Sequence, residues 1–341
     1  MRVCKFLLTC SIGLLAAAFG PTVALAQAPS PLQPVPQVIP PPQPFKTAEE
    51  HYKFLKRMNT DGTRHTYESV PHWEGLWSSS YNSINAQGTF VEGAVGLSAS
   101  GTVKEGVLTP AYEKAYKARR DNMKKYNEQP FDRLTFCEAP GPARWLQEPY
   151  VREFVNTPTQ SWWMNDLANE TRRIYVGQDH KNIDGQHSPD GDSIGFWAGD
   201  KLVVWTKDMW PADWFRGLPV FSNEMQMIEV VYMETTNNGL PRLIDQVTFY
   251  DPVALVKPIS AVYSWQRAYK EEDAGYRIRH WECDSQIQQQ DGNLTTIRLP
   301  GEGGKSWLQR RAPDIPADLP GQTKTPGEVD FDTVFDQKSG K

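Results

Sequence analysis

Between Trp73 and Cys283 the chain reads as short runs of alternating apolar and polar residues, broken repeatedly by Gly, Asn, Asp or Pro. This period of two predicts strands over Trp73–Ser80, Tyr150–Asn156, Gln160–Asn165, Thr171–Val176, Ser193–Trp197, Lys201–Thr206, Glu224–Thr235, Pro241–Tyr250, Ala261–Lys270 and Arg277–Cys283. Ala198-Gly199-Asp200 and Asn237-Asn238-Gly239 are the clearest turns between them. Many short strands joined by tight turns predict a mainly β domain, an antiparallel meander that closes as a barrel or, alternatively, packs as a β-sandwich. Short helical additions accompany it. Thr47-Ala48-Glu49-Glu50 is a capping box that opens a helix to about Met58. Thr109 caps a second helix over 110–126, with Pro110 at its first position. There Tyr112, Ala115, Tyr116, Arg119, Met123 and Tyr126 keep the 3.6 spacing.

The ends read differently. Met1–Lys5 is basic, Phe6–Ala26 is apolar, and Ala24-Leu25-Ala26 fits the small-x-small rule of signal peptidase. The expected organisation is a signal peptide at 1–26, cut after Ala26, and a stiff Pro-rich linker at 27–46. A helical lead-in at 47–72, the β-rich domain at 73–300 and a disordered tail at 301–341 follow. The expected location is periplasmic or secreted, with no transmembrane segment after the leader, because no later apolar run reaches the ~18 residues a span needs. The net charge of −5 and the scattered Lys and Arg argue against a nucleic-acid partner. Of four cysteines, Cys4 and Cys10 lie in the leader. In an exported chain Cys137 and Cys283 are then most simply a disulfide, with two buried thiols as the alternative.

Three segments carry a resemblance. Leu108-Thr109-Pro110-Ala111-Tyr112, Cys137 with Pro140-Gly141-Pro142, and the hairpin Ser193-Ile194-Gly195-Phe196-Trp197-Ala198-Gly199-Asp200-Lys201-Leu202-Val203-Val204 stand in this order. Together they resemble a widespread group of exported bacterial proteins that carries no assigned activity. Its hairpin pattern is Ser-Ile-Gly-x-Trp-x-Gly-Asp-x-Leu-Val-Val. Trp205 stands where that pattern has Asp and Phe221 where it has His, whereas Glu229 fits the pattern. Trp73-Glu74-Gly75-Leu76-Trp77 resembles the Gly-x-Trp opening of lipocalin-type barrels. The resemblance implies export and a lipocalin-like barrel; it supplies no mechanism.

Candidate chemistry centres on Glu229. One face of its strand reads Met225, Met227, Glu229, Val231, Met233, a carboxylate in an apolar row. Burial there favours the neutral acid, as a general acid or base near neutral pH requires. A three-residue loop at Asn237-Asn238-Gly239 sets Glu229 opposite Val247 and Val231 opposite Asp245, which keeps the Met face matched to Leu243, Val247 and Phe249. Glu229 and Asp245 then form a candidate acid/base pair, or else two acids satisfied by Arg partners. Tyr263, Trp265 and Arg267 share one face of the next strand and are expected to line the same cavity, with Arg267 as partner to the acids and to a carboxylated or aromatic ligand. Met227, Trp205 and Trp162 are further candidates for ligand contact, and Trp210–Trp214 is a candidate lid.

The loop Asp179–Asp192 carries His180 and His187 among four acids, including Asp184. It lacks the order of an EF-hand or zinc site, so a solvated loop is expected and no metal, with His180 an alternative loop-borne base. No Gly-rich phosphate loop or Gly-x-Ser-x-Gly elbow occurs, and no cofactor is expected. With 12 Trp, 13 Tyr and 14 Phe, the first functional expectation is an exported barrel that binds a small apolar or aromatic molecule. A cofactor-free lyase, isomerase or dehydratase using Glu229 or Asp245 is the alternative. An envelope structural or interaction protein is the third.

Overall fold

The computed structural model describes residues 44–79, 103, 105–126, 134, 139–148, 150–181, 186–214, 219–282, 287–290, 293–296, 316 and 318–322. Its centre is a closed barrel of nine strands: β1 (Leu76–Ser79), β2 (Arg152–Asn156), β3 (Gln160–Asn165), β4 (Thr171–Val176), β5 (Asp192–Ala198), β6 (Lys201–Lys207), β7 (Gln226–Thr235), β8 (Pro241–Tyr250) and β9 (Ile259–Arg267). Each pairs with the next, and β9 returns to β1 through Trp77↔Arg267 and Ser79↔Trp265. The mainly β barrel expected from the alternation is the fold, consistent with the lipocalin-like closure that the resemblance implied.

A ring of purely antiparallel neighbours needs an even number of strands, so a ring of nine must contain a parallel pair. That pair is β4–β5, with Ile174 opposite Ser193 and Val176 opposite Gly195; all other neighbours in the ring are antiparallel. Parallel neighbours cannot share a tight turn, because the chain must first travel back along the strand. Residues 177–191 make that return. The acidic loop therefore belongs to a crossover connection between parallel neighbours.

The expected tenth strand is absent: Arg277–Glu282 is irregular and runs outside the barrel, where Trp281 and Asn169 exchange hydrogen bonds. The ring is already closed at β9–β1 and offers no free edge there. A separate hairpin follows, β10 (Ile287–Gln290) with β11 (Asn293–Thr296).

Two apolar layers form, one on each side of the wall. Alternate residues of every barrel strand fill the interior, among them Trp77, Phe154, Trp163, Trp197, Val231, Leu243 and Trp265. Outside, α1 (Ala48–Met58) lies over the wall, where Tyr52 packs on Phe196 and Trp205 and shares a buried cluster with Ile194, Val203, Ile228 and Tyr250. The Thr47 side chain accepts from the Glu50 amide, as the capping box requires. Beneath α1, the Tyr250 hydroxyl and Nδ1 of buried His51 share a hydrogen bond at 3.0 Å, and burial pulls the pKa of that imidazole down to about 4. Among the described residues no helix is long and apolar enough to cross a membrane.

One end of the barrel is closed by α2 (Pro110–Tyr126) together with the connection from β6 to β7. Arg119 of α2 pairs with Asp213 in a buried salt bridge, and the Trp214 ring packs edge-on to Phe249 at 4.4 Å. The expected lid residues Trp210–Trp214 are thus part of a packed plug. Part of the expected disordered tail joins it: Tyr112 donates to the Pro320 carbonyl, and Gln322 donates to Tyr112 and to the Phe221 carbonyl. Leu319 supplies an apolar anchor there that a Pro- and Gly-rich composition hides.

Candidate functional site

The β7–β8 hairpin turns through Asn237-Asn238-Gly239. The Thr236 amide donates to the Leu240 carbonyl, and Gly239 sits at φ +79, a conformation that costs a side chain strain. This three-residue loop sets the expected register, Glu229 opposite Val247 and Val231 opposite Asp245. Met225, Met227, Glu229, Val231, Leu243, Asp245, Val247 and Phe249 are all buried, whereas Met233 lies near the hairpin tip and is exposed. Both acids have no solvent-accessible surface.

Their cation is Arg172 of β4. It donates through Nη1 to Glu229 Oε1 at 2.8 Å and through Nη2 to Oε2, a two-point grip. Nε donates to Ser193 Oγ at 3.2 Å, Nη2 also to Thr206 Oγ1, and the two hydroxyls bond each other at 2.8 Å. The guanidinium carbon lies 4.8 Å from the centroid of the Trp163 ring. Burial disfavours the Arg172 charge, but the acids around it, Glu229 first and then Asp245 and Asp190, together offset this and raise its pKa.

Asp245 is in the opposite position. Both its oxygens are buried, and no donor among the described residues reaches them. The group within hydrogen-bonding reach is the Glu229 carboxylate, to which only a protonated Asp245 can donate. Burial first, and then the Glu229 charge, push the Asp245 carboxyl well above the usual carboxylate range. One proton shared between the two carboxyls lets both sit beside one guanidinium without two adjacent negative charges. Tyr263 stands opposite Asp245 on β9, and burial followed by the two acids keeps its phenol protonated.

A second guanidinium lies in the interior. Arg152 of β2 is fully buried and donates to the backbone carbonyls of Trp145 and Glu148, to Ser79 Oγ at 3.2 Å and to the Tyr150 carbonyl at 3.4 Å. Trp145 belongs to α3 (Pro142–Trp145), which inserts it against Phe154, Trp163 and Trp265. The Arg152 carbon is 4.6 Å from the Trp145 ring and 5.2 Å from Trp265, while Trp145 stacks on Trp163 at 5.8 Å. Arg152, Trp145, Trp163, Arg172 and Glu229 therefore touch in series through the interior.

Several expected residues lie elsewhere. Arg267 does not partner the acids: at the barrel rim it donates to Glu272 at 2.8 Å and to the Glu74 carbonyl, over the ring of Trp77. Gly75 is required there, since a Cβ would fall 1.9 Å from Arg267 Nη2 and its φ is +108. Trp205 faces outward, against Tyr52 and His180. Trp162 also faces outward, with the Arg173 guanidinium 3.9 Å from its ring centroid. His180 is outside the barrel as well. Its Nδ1 donates to Asp192 at 2.8 Å and its ring stands edge-on to Trp205 at 4.5 Å, which pins the crossover. Tyr263, Trp265 and Met227, expected to line a cavity, are buried in the packed interior core. Cys137, Cys283 and Asp184 lie outside the described residues. No group of three potential metal ligands occurs among the described residues.

Sequence reasoning missed Arg172 and Arg152. The signal for Arg172 is alternation itself: in Thr171-Arg172-Arg173-Ile174 the residue that shares a face with Ile174 is Arg172. Comparison with family models, with curated proteins and with solved structures finds no match.

Proposed function

We propose that this chain is an exported barrel that binds a small, largely apolar or aromatic molecule carrying a few polar groups. One observation carries the reading: buried polar atoms that have no hydrogen-bond partner among the described residues collect in the barrel core and at its base. They are the indole N–H groups of Trp73, Trp145, Trp197 and Trp265, Nε of Arg152 and the carboxyl of Asp245 as acceptor. Native interiors leave few such groups, and a cluster of them marks a place where another molecule completes the bonding. None of these atoms touches solvent, so a guest has to part side chains that now meet. Binding is therefore slow and stabilising. The leader at 1–26 supports export, and the Cys137–Cys283 bridge belongs to the same proposal. Thiol titration of the denatured, unreduced protein should find no free thiol after leader removal.

The test is a titration with 1-anilinonaphthalene-8-sulfonate, an aromatic probe that emits in apolar surroundings. Saturable one-to-one binding with loss of Trp emission supports the reading; its absence from the native protein contradicts it. A second reading, proton transfer by a cofactor-free enzyme, is favoured by Asp245, a neutral acid next to a carboxylate. Asp245→Asn separates the two. A carrier keeps its probe affinity within a few-fold, and an enzyme loses turnover.

A further inference from the structure

We infer that the Arg152 end of the barrel is an acceptor site for an anionic oxygen, so that the guest is an aromatic or apolar carboxylate. This rests on the proposal that the barrel holds a guest. Arg152 has no carboxylate within ion-pair distance among the described residues, because the nearby Glu148 carboxylate is taken by Arg144 Nε at 2.6 Å. Its direct contacts are backbone carbonyls, the Ser79 hydroxyl and the faces of two indoles, while the Glu148 and Glu170 carboxylates act on it only through space. A buried guanidinium with no bonded anion is costly, and burial, only partly offset by those two acids, draws its pKa down to about 9. It nevertheless stays charged at neutral pH.

Three N–H donors at this place have no partner among the described residues: Nε of Arg152 and Nε1 of Trp145 and Trp265. The rings of Trp145 and Trp265 are 5.9 Å apart, and the guanidinium lies within 5.2 Å of both. Donors without acceptors among the described residues, around a cation that no carboxylate contacts directly, match a carboxylate and do not match an ammonium or a hydrocarbon. Arg172 is no rival for the guest, since Glu229 already holds it at two points. The two long contacts of Arg152 Nη1, at 3.2 and 3.4 Å, are the ones an entering carboxylate displaces most readily. The surrounding rings of Trp145, Phe154, Trp163 and Trp265 favour an aromatic body.

The experiment compares 2-naphthoate with its neutral isostere 2-naphthamide by calorimetry at pH 7, on the full chain and on Trp145→Phe and Trp265→Phe. Each substitution keeps an aromatic ring and removes one N–H, and circular dichroism checks that each variant folds. The expected result is naphthoate bound at least about ten-fold more tightly than naphthamide, as for a charge-assisted bond, with the ratio falling several-fold in either variant. Equal affinities for the two probes, or a ratio unmoved by both substitutions, overturn the anion site while leaving a guest-binding barrel. Binding of neither probe overturns both.

Discussion

Glu229→Gln keeps the shape of the side chain and removes the charge that Arg172 grips. The guanidinium is 2% exposed and Glu229 fully buried, so water cannot take the place of the lost carboxylate. Removing one partner of a buried ion pair costs about 3–5 kcal/mol. Three contacts hold the value to the lower end: Arg172 keeps Ser193, Thr206 and the Trp163 face. Asp245, relieved of its charged neighbour, can also ionise and attract the guanidinium. We expect a loss of about 3 kcal/mol, which for a domain of this size lowers Tm by about 6–12 °C. Asp245→Asn is the contrasting change. It replaces the protonated acid by a neutral group whose N–H donates to Glu229 as the acid proton does, so the expected change is within about 1 kcal/mol at the acid end, near pH 4. The assay is urea unfolding of both variants beside wild type from pH 4 to pH 8. An acid whose pKa is raised in the folded state contributes stability below its unfolded value near 3.8, and that contribution is lost as pH rises through the folded value. Wild type should therefore lose stability relative to Asp245→Asn as pH climbs. If Asp245→Asn costs as much at pH 7 as Glu229→Gln, or if the two curves run parallel in pH, Asp245 is not a neutral donor and the shared proton is wrong.

Two further outcomes follow from single positions. His51 is 5% exposed and its pKa falls from 6.5 to about 4, so the folded state resists a proton that the unfolded state accepts. Its contribution is complete above pH 6.5 and declines as pH falls toward 4, by up to about 3 kcal/mol; hydrogen exchange should show α1 opening first, and α1 amides as protected at pH 4.5 as at pH 7 would contradict this. Gly239→Ala should destabilise by about 1–2 kcal/mol at φ +79, where the added Cβ meets no atom within 4 Å, so the cost is backbone strain alone; an unchanged urea midpoint would show the turn has another form.

Much of the barrel wall is legible in the residues because alternation and turn chemistry agree there. Asn237-Asn238-Gly239 sets the β7–β8 register, and that register takes Glu229 and Asp245 to one face. Faces fail where both sides of the wall are covered. In Leu202-Val203-Val204-Trp205-Thr206 the interior takes Leu202, Val204 and Thr206, while α1 shelters Val203 and Trp205, so apolarity alone cannot choose. In Ser161-Trp162-Trp163-Met164 the more apolar row points outward. The interior instead takes Ser161, which accepts from the Trp163 indole at 2.8 Å and donates to Asn156. The parallel junction leaves no local mark, because a crossover and a surface loop share one composition. Arg172 is hidden for a different reason. A buried guanidinium is defined by a carboxylate 57 positions away, a pairing that only ring closure creates.

The claim that the barrel interior carries a small molecule is tested most directly by native mass spectrometry of the protein purified without denaturant from the cells that make it. The expected spectrum shows the chain from Gln27 with the added mass of one small molecule, and that added mass disappears when the sample is denatured. A native mass identical to the denatured one, under conditions that keep the barrel folded, would contradict the claim.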